Sequence, residues 1–304
     1  MKPLVIYHDD CADGFGAAFA AWLELGDDAE YVPCQYATDP KALVDLVTLP
    51  DRTVYILDFS FKREDTDWLF ANAKRVVWLD HHKTAFEMWC PEERTRFWSL
   101  GRDDIILDNN KSGAMLAWEY FHPHTEVPML IQHIDDYDRW VFALEGTKAF
   151  NKALWSRPWS FVDWKERFLP ELGFCNYEAY YSEGAAILRV HDQNVQSVVK
   201  GSARKCAIEM PRGVKLEQKW PWLNGLAANC PPHLTSDVGH ELAVQPGTFG
   251  LCWTLDQEGL IAKCSLRSNG DYDVSTIAKA FGGGGHKNAA GFEVPMATLI
   301  GWMI

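Results

Sequence analysis

The sequence lacks the features that would carry a chain out of a reducing compartment or into a bilayer. It has no run of about 18 consecutive apolar residues, the length that a membrane-spanning helix requires. No basic N-terminal segment leads into a signal-like apolar region. Its eight cysteines, Cys11, Cys34, Cys90, Cys175, Cys206, Cys230, Cys252 and Cys264, form no CxxC pair and no regular framework, in a chain of 304 residues that is far larger than disulfide-dependent scaffolds. Secretion and membrane spanning are therefore not expected, and a cytoplasmic location is. Excess basic charge is also missing: 29 Lys and Arg against 42 Asp and Glu leave a formal charge of −13. That balance argues against long-range steering toward a polyanionic duplex and leaves a short or small anionic substrate open. There is no internal repeat at solenoid periods and no low-complexity tract.

What is present suits a globular chain. At 47% hydrophobic it can bury a core in one large domain or two modest ones. KPLVIYH reads as a short buried strand ending in polar residues, and GFGAAFAAWLEL after it reads as a helix. The unit repeats, with TVYILDFS and RVVWLDHH as strands and EDTDWLFANAK and SGAMLAWEYF as helices. Strands alternating with helices predict an α/β fold, a parallel sheet with helices on both faces, over residues 1–150. Residues 151–200 read as a helical, aromatic connector. Residues 201–304 read as a smaller C-terminal α/β domain, in which FGLCWTLDQEGLIAKCSLRS folds back on itself at DQEG and a glycine loop follows the STIAKAF helix.

Four clusters in the first half could carry chemistry: HDDCADG at 8–14, LDFS at 57–60, DHH at 80–82 and IDDYD at 134–138. His8, Asp58 and Asp80 each close a predicted strand, and the ligand crevice of a parallel sheet lies beyond the carboxyl ends of its strands. Taken singly, a strand-end aspartate is most often a turn or a helix cap, and a lone histidine is most often structural. The conjunction weighs differently, because several like charges at one sheet edge are costly without a cation to neutralise them. Carboxylates with some imidazole suit Mn²⁺ or Mg²⁺ better than zinc. Two such ions sharing a bridging aspartate would activate a water and stabilise charge at a phosphorus centre.

These residues resemble the DHH phosphoesterases, in the branch with a C-terminal DHHA1 domain. The likeness rests on Asp80-His81-His82, His8 and Asp13-Gly14, Asp58, Asp136, and GGGGHKNAAGF preceded by SLRS, and it runs from residue 4 to about 294. It implies a Mn²⁺- or Mg²⁺-dependent hydrolase with two ions per chain. His8, Asp13, Asp58, His82 and Asp136 would be metal ligands, with Asp58 bridging. Asp58 and His81 would be the catalytic residues, and Asp80 would orient a neighbouring histidine. The first motif departs from the family pattern, with Cys11 where the first of two aspartates is expected; either Asp10 replaces it or the site uses fewer carboxylates. In the fourth motif Asp136 is preferred over Asp135, and Asp138 is close enough to contribute.

In the C-terminal segment, Gly282–Gly285 would let backbone amides approach an anion. Within it Gly283, Gly284 and Gly285, with Arg267, His286 and Asn288, resemble the family's substrate-holding groups, Arg267 as a planar fork for phosphate. The 14 tryptophans read chiefly as core and interdomain packing rather than as base-stacking platforms. The resemblance points to hydrolysis of short oligonucleotides or small nucleotides, as by the oligoribonuclease-like members. A 3′,5′-bisphosphate nucleotide phosphatase, a single-strand exonuclease and a degenerate non-catalytic nucleotide-binding protein are the alternatives. Expected partners are a small nucleotide or a short single strand, with no membrane, and a homodimer is an allowed assembly.

Overall fold

The computed structural model describes residues 1–35, 38–44, 48–88, 104–169, 177–211, 224–244, 249–270 and 272–304, so Cys90 and Cys175 lie outside the described residues. The chain divides into two compact units, Met1–Leu188 and Arg189–Ile304.

The first unit is built on five parallel strands in the order β2-β1-β3-β4-β5. They are β1 (Leu4–His8), β2 (Glu30–Cys34), β3 (Thr53–Leu57), β4 (Arg75–Asp80) and β5 (Asp104–Leu107). Side chains alternate between the two sides of a strand, and here both sides are apolar. Val5, Tyr55, Leu57, Val77 and Leu79 join one core with helices α1 (Ala12–Leu25), α4 (Gly113–Phe121) and α5 (Met129–Asp138). Leu4, Ile6, Val54, Ile56, Val76 and Trp78 join another with α2 (Arg63–Asn72) and α3 (Lys83–Met88). A sheet covered on both faces has near-continuous apolar strands, which is why LVIY, VYIL and VVWL give no clean polar alternation.

The segment expected as a separate connector, 151–200, does not form one. Helices α6 (Thr147–Trp155) and α7 (Phe161–Phe168) pack into the first unit through Phe150, Leu154, Trp164 and Phe168. Helix α8 (Tyr177–Ser202) crosses the division, with Tyr180 in the first unit's core and Val195 in a core of the second. An aromatic, amphipathic stretch looks the same whether it links domains or closes one, because only the partner face differs.

The second unit holds a six-stranded sheet, order β10-β11-β9-β8-β7-β6. Its strands are β6 (Arg204–Ala207), β7 (Asn224–Asn229), β8 (Phe249–Leu255), β9 (Ile261–Ser268), β10 (Gly284–His286) and β11 (Ala289–Pro295). Pairing is antiparallel except between β7 and β8. The β8–β9 hairpin turns at Asp256–Gly259, where Asp256 Oδ1 accepts the amides of Leu260 and Ile261 and Gly259 takes φ +72°. Helices α10 (Val274–Ala280) and α11 (Met296–Trp302) cover one face, and α9 (Thr235–Leu242) covers the other with α8. No helix among the described residues is long and apolar enough to cross a membrane.

Candidate metal centre

Register brings the site together. Tyr7 pairs beside Leu57, and Leu57 beside Leu79, so the residues that follow leave neighbouring strands at one edge. Two glycines let helix starts close over that edge. A Cβ on Gly14 would lie 2.2 Å from the carbonyl oxygen of His8, and one on Gly113 would lie 2.3 Å from Cβ of Asp58. Asp58 itself sits at φ +53°, a left-handed conformation that costs a non-glycine residue about 1–2 kcal/mol. The chain holds Asp58 there against that cost, and the turn is fixed by its amide donating to Leu79 O at 2.9 Å.

Around Asp58 potential ligand atoms converge, all within 4.8 Å in each of three groups: His8, Cys11 and Asp58; Asp58, Asp80, His81 and His82; and Asp13, His81 and Asp138. His8 Nδ1 lies 3.6 Å from Asp58 Oδ2, and His81 Nε2 lies 3.1 Å from Asp58 Oδ1 and 3.5 Å from both Asp13 Oδ2 and Asp138 Oδ2. Asp58 Oδ1 is buried and receives no hydrogen bond; His81 is in reach but out of line. A buried carboxylate oxygen without a donor is expensive. A cation shared with the flanking imidazoles and carboxylates satisfies it, so the residues present fit a divalent ion.

The titration behaviour says the same. Burial, then the charges of Asp58 and Asp138, push the Asp13 carboxyl well above the usual range. Burial would lower His81, but Asp138, Asp58 and Asp13 outweigh it and push the imidazole up to about 11. Burial would raise Asp58, yet the imidazoles of His8, His81 and His82 beside it hold it far below its ordinary value. Without an ion, then, a proton on His81 does the neutralising that a cation would do.

Asp80 is saturated within the protein. Its Oδ1 accepts the amides of His81 (2.7 Å) and His82 (3.1 Å) and contacts His82 Nδ1 at 2.7 Å, while Oδ2 accepts the Ser60 hydroxyl. The contact at Nδ1 orients the ring, so an ion would meet His82 through Nε2. Asp13 is held by the start of α4: Gly113 N donates to Oδ2 at 2.7 Å and Ala114 N to Oδ1 at 2.8 Å.

Two expected ligands are placed elsewhere. Asp136 turns away and caps the following loop, accepting the amides of Ala143 (2.7 Å) and Leu144 (3.1 Å) and the Thr147 hydroxyl (2.5 Å). Asp138, two residues on, faces His81 instead. Residues two apart on α5 point to nearly opposite faces, and IDDYD does not say which carboxylate looks inward. Asp135 is also engaged, with Ser112 N and the Arg139 guanidinium. Asp10 is exposed, at φ +52°, with its amide on Asp9 Oδ1, and it belongs to none of the ligand groups. Cys11 does. Sequence reasoning misses Gly113 and Ser60; a glycine directly after the helix-capping Ser112 is the available signal for the first.

In the second unit the glycine run is not the open loop expected. Gly282, at φ +81°, makes a turn, but Gly284 and Gly285 belong to β10, paired with Gly291 and Ala290. A Cβ on Gly283 would lie 2.0 Å from Gly291 O, and one on Gly285, at φ +135°, would lie 2.5 Å from Ala289 O. Close strand packing therefore accounts for these glycines. Asn288 Nδ2 donates to Ser268 Oγ (2.9 Å) and Gly270 O (3.2 Å), latching the hairpin to β9. Arg267, Ala289 and His286 stand in one row across β9, β11 and β10 and so face the same side, with small Ala289 between the two longer side chains. Arg267 Nη2 donates to Ser236 Oγ at 2.9 Å, and Gly239 gives it room, since a Cβ there would lie 2.7 Å from Arg267 Cγ.

The uncharacterized protein R106 of Acanthamoeba polyphaga mimivirus is 30% identical over 302 residues, which is 95% of this chain, and the chain spans 66% of that relative's length. Among solved structures, the pGpG-specific phosphodiesterase PggH from Vibrio cholerae aligns with 99% of this chain and 95% of its own at TM-score 0.49 and 13% identity. RecJ from Thermus thermophilus, in complex with Mg²⁺, aligns with 99% of this chain and 48% of its own at 0.45 and 14%. CDC45 from Entamoeba histolytica aligns with 99% and 93% at 0.45 and 9%. Likenesses at this level of overlap assign no activity. The DHHA1 domain model matches residues 251–300, from β8 to α11. The second unit thus carries a match to the DHHA1 domain, and Asp80-His81-His82 closes β4 at the carboxyl edge of the first unit's parallel sheet, the two places where the chain resembles the DHH phosphoesterases.

Proposed function

We propose that the chain hydrolyses phosphoester bonds in short oligonucleotides or small nucleotides, with Mn²⁺ or Mg²⁺ bound at the carboxyl edge of the first sheet. The observation that carries the reading is Asp58: buried, in a left-handed turn, shared by two of these ligand groups, with one oxygen that accepts no hydrogen bond among the described residues. His8, Asp13, Asp58, His81, His82 and Asp138 would hold the ions, two per chain, and Asp58 would be common to both. Bound divalent ions would supply a water acidic enough to attack at neutral pH and would offset charge on the phosphoryl oxygens.

The chain's own residues do the rest. Asp80 and Ser60 fix the ring of His82, and the amides of Gly113 and Ala114 fix Asp13, so ligand geometry is set before an ion arrives. His81, among the carboxylates of Asp13, Asp58 and Asp138, would be the group next to the reacting phosphate. Arg267 and His286, on one side of the second sheet, would take phosphate oxygens, Arg267 as a two-pronged donor. A charge of −13 suits a small substrate bound by local groups better than a long duplex drawn in by its field.

The test is hydrolysis of a panel comprising dinucleotides, a five-base RNA, cyclic dinucleotides, 3′,5′-bisphosphorylated adenosine and pyrophosphate, with Mn²⁺, beside Asp58→Ala. Cleavage confined to the short oligonucleotides and lost in the variant supports the reading. Turnover of the bisphosphate alone moves it to a nucleotide phosphatase, and no turnover of any compound overturns it.

A further inference from the structure

Among the described cysteines one differs from the rest. Cys34, Cys206, Cys230, Cys252 and Cys264 are buried, whereas Cys11 is half-exposed at the edge that gathers the ligands. It is the N-cap residue of α1, a helix of 14 residues. Its sulfur, a ring nitrogen of His8 and a carboxylate oxygen of Asp58 lie within 4.8 Å of one another. The neighbouring carboxylate that could have taken its place, Asp10, is exposed and outside every ligand group.

Building on the proposed function, we infer that the two cation positions of the first unit differ in kind: His8, Cys11 and Asp58 form a nitrogen–sulfur–oxygen position that takes a thiophilic transition ion such as Zn²⁺, Co²⁺ or Fe²⁺, while Asp13, His81 and Asp138 form an oxygen-rich position for Mg²⁺ or Mn²⁺. The second observation behind the first position is the Asp58 carboxylate, buried and held in a left-handed turn, whose Oδ2 faces His8 Nδ1 at 3.6 Å. Thiolate selects softer ions, and carboxylate selects harder ones, so replacing one carboxylate by sulfur changes which ion the position prefers without changing how many ligands it offers. Asp58 belongs to the first group and to that of Asp80, His81 and His82, so it stands between the first position and His81, which belongs to the second.

The experiment uses the full chain stripped of metal by chelator and dialysis, in three forms: wild type, Cys11→Asp and Cys11→Ser. Each is titrated with Co²⁺ and read by absorbance for a thiolate-to-cobalt charge-transfer band. Each is then equilibrated with equal Zn²⁺ and Mn²⁺ and analysed for bound metal. The expected result is a charge-transfer band in the wild type that is absent from both variants although both still bind cobalt, and a Zn²⁺-over-Mn²⁺ preference that falls by about tenfold or more in Cys11→Asp. Cobalt bound by the wild type without the band, or a preference unchanged in Cys11→Asp, overturns the sulfur ligand and leaves the phosphoesterase reading standing. Failure of the wild type to bind either Co²⁺ or Mn²⁺ overturns the two unlike positions, and the hydrolysis panel reads the phosphoesterase separately.

Discussion

The carboxyl edge of the first sheet and the Arg267–His286 row of the second are both rich in polar groups, but they treat their polar atoms oppositely. In the second unit Arg267 donates to Ser236, Asn288 donates to Ser268 and Gly270, and the glycines between fit strand against strand. That region is complete without a ligand. In the first unit Asp13, Asp58 and Asp138 crowd one imidazole, and Asp58 Oδ1 goes without a donor. A region that leaves like charges facing one another is built for something the polypeptide does not contain. A region that satisfies itself first can only add a ligand to groups already in use, and so tunes binding rather than creating it.

The sharpest attempt to break this contrast is Asp58→Ala. Hydrolysis of the susceptible panel compound falls by about 10²–10³-fold or more, while the thermal unfolding midpoint in chelator holds or rises, because a buried charge has gone. A large fall in that midpoint would instead make Asp58 a structural residue. Next, Mn²⁺ at about a hundred times its dissociation constant stabilises the wild type by about 2.7 kcal/mol against unfolding, and Asp58→Asn removes most of that gain; scanning calorimetry with and without the ion reads it. Gly113→Ala and Gly283→Ala form a pair across the two units. Each added Cβ overpacks, at about 1–3 kcal/mol, but only Gly113→Ala, whose Cβ strikes Asp58, also shrinks the Mn²⁺ gain. Asp136→Asn lowers stability by about 1–2 kcal/mol through weakened hydrogen bonds to a carboxylate and leaves the Mn²⁺ gain intact, while Asp138→Asn does the reverse. Smallest is Arg267→Lys, which raises KM by about tenfold with kcat little changed, since one ammonium replaces a two-pronged donor.

How much of this is legible in the sequence follows from the kind of signal. The alternation of apolar strands and helices up to SGAMLAWEYF implies the parallel sheet, because burial on both faces demands near-continuous apolar strands. His8, Asp58 and Asp80 can be placed at one edge because parallel strands align their carboxyl ends. Asp138 cannot be separated from Asp136, because helical phase within IDDYD depends on where α5 begins and how it packs. The glycine run reads as a loop, although Gly284 and Gly285 pair with β11, because glycine marks equally a turn and a close strand contact. Residues 151–200 read as a connector, because amphipathicity names an apolar face and not its partner.

Sequence alone determined the chemical inventory: which residue types end which strands, the acidic balance, and a cysteine standing among potential ligands. Those are local facts, written in composition and period. Tertiary structure decided which carboxylate of a cluster faces inward, which glycines admit a neighbour's side chain, and which polar atoms remain without partners. Each of those depends on atoms up to a hundred residues apart, as when Gly113 and Ala114 hold Asp13, and hydrogen-bond geometry over such separations exists only once the chain is packed.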